Sequence, residues 1–79
     1  MESYYITFGQ QSVFRDYYLL ILATSDKEAL RVAQEQFKHI SMVYTEKEFI
    51  ENNVVDSFPN GLLFSFNTKK NTIWRPAEY

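Results

Sequence analysis

Apolar and polar positions alternate along this chain in short runs, and the runs predict its elements. Tyr4-Tyr5-Ile6-Thr7-Phe8 is β-branched and aromatic and stops at Gly9, as a strand does. Tyr4, Ile6 and Phe8 fall on one face, Tyr5 and Thr7 on the other. Residues 9–16 read as a loop. Tyr17 to Ala23 is apolar at every position, which predicts a strand that is central or covered on both faces. The two strands lie close enough in sequence to pair as a hairpin with a long loop.

The period then changes. Ser25 followed by Glu28 is a capping box, and Asp26 adds negative charge where the helix dipole favours it. Leu30, Ala33 and Phe37 recur at helical spacing, with Arg31, Glu35 and Lys38 on the polar side. These signals predict a helix from about Asp26 to His39, with His39 at its C-terminal end. Ser41 to Tyr44 is a third strand. Thr45 and Glu48 repeat the capping box, and Tyr44 and Phe49 have the spacing of a hydrophobic staple. A short helix over about Glu46 to Asn52 follows. Pro59-Asn60-Gly61 marks a turn. Leu62, Phe64 and Phe66 then alternate onto one face, and a loop over residues 67–71 leads to a returning strand, Thr72 to Arg75, closed by Pro76. The resulting order is β-β-α-β-α-β-β. It predicts an α+β fold in a single domain over residues 1–79: a small antiparallel or mixed sheet, one long and one short helix, and helices on one face.

Composition narrows the chemistry. Hydrophobic residues make up 46% of the chain, too many for disorder. There is no cysteine, which excludes disulfides and thiolate metal sites and fits a reducing cytoplasm. Met1-Glu2-Ser3-Tyr4-Tyr5 lacks the basic and apolar regions of a secretory signal, and no apolar run is long enough for a bilayer. The expected location is the cytoplasm, with no membrane partner. A net charge of −2 counts against general nucleic-acid binding.

No residue pattern carries catalysis, a metal or a cofactor. One histidine, His39, and no cysteine leave little for a zinc site, which normally needs three or four N, S or O ligands. Gly9 and Gly61 begin no phosphate-cradling motif. The remaining candidates are contact surfaces. Val13 and Phe14, beside Arg15, either cover the core from the loop or present a protein-binding spot. Glu46, Glu48 and Glu51 either stabilise a helix N-terminus or form an acidic contact face that stands in for nucleic-acid phosphates. Phe64, Phe66 and Trp74 beside Lys69, Lys70 and Arg75 either belong to the core and a solvated loop tip or clamp a single strand of nucleic acid. An unpaired edge strand would offer a homodimer interface.

The run Tyr4-Tyr5-Ile6-Thr7-Phe8-Gly9-Gln10, then Ala23 to Ala29, Phe37, Tyr44 to Phe49 and Phe58-Pro59-Asn60-Gly61, resembles a group of short proteins encoded by phages and prophages of Gram-positive bacteria. The similarity covers about residues 4–61, and residues 62–75 look like an extension of the usual pattern. No functional residues carry over from that group. The resemblance implies a phage accessory protein in the bacterial cytoplasm. With no active site in view, the expectation is a non-enzymatic protein that binds and modulates a host or defence protein, for example as an anti-CRISPR-like inhibitor. The alternative is a single-strand nucleic-acid module built on the C-terminal hairpin.

Overall fold

A computed structural model describes residues 1–69 and the backbone of residues 75 and 76. Strands β1 (Glu2–Phe8), β2 (Tyr17–Ala23), β3 (Ile40–Thr45), β4 (Gly61–Asn67) and the two-residue β5 (Arg75–Pro76) form one mixed sheet in the order β3-β1-β2-β4-β5. The long helix α1 spans Asp26–Gln36. The α+β expectation holds. β1 and β2 pair antiparallel, as the long-loop hairpin predicted, and β2 pairs parallel with β4. The uniformly apolar β2 is the central strand. Pro76 lies in the edge strand, paired with Phe64, rather than after it.

Strand alternation sorts the side chains into two layers. On one face Tyr4, Ile6 and Phe8 of β1 and Leu19, Ile21 and Ala23 of β2 meet Ala29, Val32 and Ala33 of α1, all buried. Small residues on the inner stripe of α1 let the helix sit close to the sheet. Ser25 caps α1 by accepting from the Glu28 N–H at 3.1 Å. The Glu28 carboxylate accepts instead from Thr24, through its N–H at 2.8 Å and its hydroxyl at 3.1 Å, one residue earlier than a reciprocal box would place it. The Thr68 hydroxyl lies 3.2 Å from the same oxygen and 2.8 Å from the Leu22 carbonyl. Having one proton, it donates to one of them at a time. Glu28 thus gathers the ends of β2 and β4 at the start of α1.

α1 ends three residues before the predicted His39. Phe37 is extended, with its N–H donating to the Ala33 carbonyl at 2.9 Å. His39 adopts a left-handed conformation, φ 61°. That conformation is one histidine tolerates better than most side chains, and here it reverses the chain into β3. His39 is therefore a turn residue and caps no helix.

The second face is covered too, contrary to the expectation of helices on one side. The second capping box forms in full: the Thr45 N–H donates to Glu48 at 2.9 Å and the Glu48 N–H to the Thr45 hydroxyl at 3.2 Å. It opens a single π-helical turn, Lys47–Glu51, followed by a 3-10 turn, Val54–Ser57. Phe49, completely buried, stacks on Tyr5 at 4.6 Å and meets Tyr18 at 4.9 Å, Tyr44 at 5.7 Å and Phe58 at 5.9 Å. The Tyr44–Phe49 staple is present, and it serves as part of a ring of aromatics. Burial in this layer, then Glu46 and Tyr18 nearby, holds the Tyr5 hydroxyl above the usual tyrosine range.

The alternation of Leu62, Phe64 and Phe66 is interrupted. The β2–β4 register shifts between Tyr18 and Leu19, so Leu62 opposes Tyr18 while Phe64 and Phe66 oppose Leu19 and Ile21. Phe64 and Phe66 pack against the buried core, Phe64 meeting Phe37 at 5.9 Å, and Leu62 joins the other face. Gly61, with φ 78°, supplies the left-handed residue that starts β4.

Two outcomes follow from this packing. Phe49→Ala should lose about 3–5 kcal/mol, lowering the thermal midpoint by more than about 10 °C for a domain of this size. A shift of a few degrees in calorimetry would show that Phe49 does not anchor the second layer. The three donors near Glu28 hold its carboxyl below its ordinary value of 4.5. A lowered pKa contributes stability that is present above the unfolded value and lost as pH falls through the folded one. Glu28→Gln should therefore melt below the native chain at neutral pH, with the gap closing on acidification below about pH 4.5. An equal gap at every pH would rule this link out.

Candidate functional site

The loop between β1 and β2 is built from its own hydrogen bonds. The buried Ser12 accepts the Phe14 N–H on its hydroxyl at 3.0 Å, a turn that serine makes readily. The Ser12 N–H donates to the Gly9 carbonyl at 3.0 Å, and the Tyr17 N–H to the Phe14 carbonyl at 2.8 Å. The Asn60 N–H donates to the Asp16 carbonyl at 3.0 Å, which ties the loop to the turn before β4. At the other end the Gly9 N–H donates to the His39 carbonyl at 2.7 Å. Loop 9–16 and the turn at residues 37–39 are thereby joined at one end of the sheet.

Within this frame two apolar neighbours part company. Phe14 turns inward and packs on Phe8 at 5.6 Å, Phe37 at 5.9 Å and Tyr17 at 6.2 Å. Val13 points out and is 81% exposed. Arg15 is exposed, with its guanidinium 3.4 Å from the Ser12 carbonyl. Of the two readings of the loop, Phe14 follows the core-cover geometry, while Val13 and Arg15 face outward.

Two open depressions lie at this end and share Gln11 and His39. One, of about 370 Å³, is lined by Gln11, Ser12, Val13, Phe14, Gln36, Phe37, Lys38 and His39. The other, of about 440 Å³, is lined by Gly9, Gln10, Gln11, His39, Ile40 and Ser41. Among the described residues neither lining contains a carboxylate. Among the described residues the one ion pair is Arg31–Glu35, on the outer side of α1, so Arg15 and Lys38 have no carboxylate partner there. The sequence reading missed the contribution of Lys38 and His39, because it placed both inside a helix. The signal was non-local: only the pairing of Gly9 with His39 brings the turn to the loop.

The acidic residues sit on the other side of the sheet. Glu46, Glu48 and Glu51 are exposed around the π-helical turn, and Glu48 is engaged in capping. They do not come together with Phe14 and Arg15, which belong to the end of the face that carries α1. In the C-terminal hairpin, Lys69 is exposed beside Asn67, whose side-chain oxygen accepts the Lys69 N–H at 3.1 Å. Phe64 and Phe66 are half-buried against the core. Arg75 lies in β5, and Lys70 and Trp74 fall outside the described residues. The outer edge of β3 is a sheet edge, but the β1–β3 register shifts between Ile6 and Phe8, a bulge that interrupts a regular ladder for a second copy. Among the described residues no cluster of histidine and carboxylate side chains has the geometry to hold a metal ion, and no helix is long and apolar enough to cross a membrane. Comparison with known protein families, curated proteins and solved structures found no match to this chain.

Proposed function

We propose that this is a non-enzymatic binding protein that engages another protein through the end of the sheet formed by loop 9–16 and the turn at residues 37–39. The partner class is the one the resemblance implies, a host or defence protein of a bacterial cell that a phage accessory protein would modulate or inhibit. The observation that carries the reading is Val13, an aliphatic side chain 81% exposed on a loop whose own hydrogen bonds fix it. Protein contacts have an apolar centre and are enriched in arginine, and Val13 and Arg15 offer one of each on a loop that is already ordered. Phe14 supports the site from beneath. The acidic turn at Glu46, Glu48 and Glu51 is a weaker rival, because one of its three carboxylates already caps the backbone.

A photo-crosslinking amino acid placed at position 13, in cells that produce the protein, tests this directly. The expected result is one discrete protein adduct that disappears when Arg15→Glu is added. The same probe at Gln34, exposed on the outer side of α1, should give none. Equal labelling from both positions, or none from position 13, would sink the reading.

A further inference from the structure

The chemistry around Val13 specifies what it receives. We infer that the depression between loop 9–16 and the turn at residues 37–39 binds an acidic peptide segment carrying an apolar anchor residue; the inference rests on the protein-binding reading above and adds the chemistry of the partner.

Three observations converge on that occupant. The first is shape: the depression is lined by the exposed Val13 and by the half-buried rings of Phe14 and Phe37. A side chain of valine to phenylalanine size would bury apolar surface there.

The second is charge. The chain as a whole carries −2, yet among the described residues the lining of this depression has Lys38 and no acid, and Arg15 reaches the Ser12 carbonyl beside it. Neither cation is paired with a carboxylate among the described residues. The nearest acids in sequence are Glu35, next to Gln36 and paired with Arg31, and Asp16, half-buried next to Arg15. Exposed cations around an apolar spot steer an acidic partner and fix its register. Two glutamine side chains, Gln11 and Gln36, add amide donors and acceptors for a peptide backbone.

The third observation separates a peptide from nucleic acid, which would also answer to the cations. Base stacking needs an open ring face. Phe14 and Phe37 meet at 88° and Phe37 and Phe8 at 81°, so the rings pack edge against face within their own cluster. Both are half-buried. Such a floor accepts an aliphatic or aromatic side chain in contact and offers no platform for successive bases.

The test is selection of a random displayed peptide library on the purified full chain, followed by fluorescence anisotropy with the enriched peptides. The expected result is enrichment of sequences that set an aliphatic or aromatic residue among Asp or Glu. Their affinity should fall by roughly tenfold or more in Lys38→Glu and in Val13→Asp, and with added salt. Lys27→Glu, on the first turn of α1, should bind as the native chain does. Melting curves matching the native protein confirm that each variant is folded. Enrichment of basic or uncharged sequences, binding indifferent to Lys38→Glu, or tighter binding of an oligothymidine at the same residues would overturn the inference. A discrete crosslink at position 13 with no acidic preference would overturn it and leave the protein-binding reading standing, whereas loss of that crosslink would end both.

Discussion

A central strand that is apolar on both faces has to be covered on both faces, and the rest of this small fold follows from that. β2 runs Tyr17–Ala23 with Leu19, Ile21 and Ala23 toward α1 and Tyr18, Leu20 and Leu22 away from it. One eleven-residue helix can shield only one side. The second cover comes from the turns that follow β3, and it rests on one side chain. Phe49 is the fully buried member of that layer, and its contacts with Tyr5, Tyr18, Tyr44 and Phe58 join β1, β2, β3 and the approach to β4. Aromatic pairs contribute about 0.5–1.5 kcal/mol beyond the area they bury. A chain without disulfides can therefore close a second layer with very little secondary structure.

What the sequence discloses and what it conceals divide along the range of the interaction. The Ser25 cap, the second capping box, the staple and the central character of β2 involve residues a few positions apart or a run of one composition, and all are present. The glutamate of the first box departs from the pattern because Thr24 and Thr68 compete for its oxygen, and Thr68 comes from the far end of β4. The register shift that sends Leu62 to the opposite face lies in the pairing of β2 with β4, strands far apart in sequence. No local pattern in Leu62-Leu63-Phe64 reports it. The end of α1 was misread for a related reason. Phe37 continues the helical spacing of Leu30 and Ala33, but its ring leaves the helix to join Phe8 and Phe14, and tertiary packing overrides the period.

The same division explains the candidate site. Phe14 and Arg15 were visible as loop residues of contact-forming type. Lys38 and His39 were not, since their place in the site depends on a hydrogen bond between Gly9 and His39 across the sheet. The acidic turn was legible as a charge cluster, and the structure gives part of that cluster a backbone task. Residues of suitable chemistry thus occur at several points in the sequence. The fold chooses among them by bringing loop 9–16 to the turn at residues 37–39 while leaving Glu46, Glu48 and Glu51 on the opposite side of the sheet.

An exposed aliphatic residue is ordinary by itself, and Met42 at 51% and Ile50 at 45% show as much here. Val13 differs in its setting. The loop beneath it is held by the Ser12 hydroxyl, by Phe14 in the aromatic cluster and by backbone bonds at both ends. Ordering a flexible loop on binding costs about 0.5–1.5 kcal/mol for each side chain immobilised, and this loop has met much of that requirement during folding. The bonds that keep Val13 outward are the ones that turn Phe14 inward. Removing the Ser12 hydroxyl would loosen both, so the packing of Phe14 and the proposed contact at Val13 depend on one serine. A loop serving only as a connection between β1 and β2 has no need of that coupling, and a shorter turn would join two antiparallel neighbours as well. The extra residues make sense as a preorganised contact, with an apolar tip, flanking cations and a floor of packed rings.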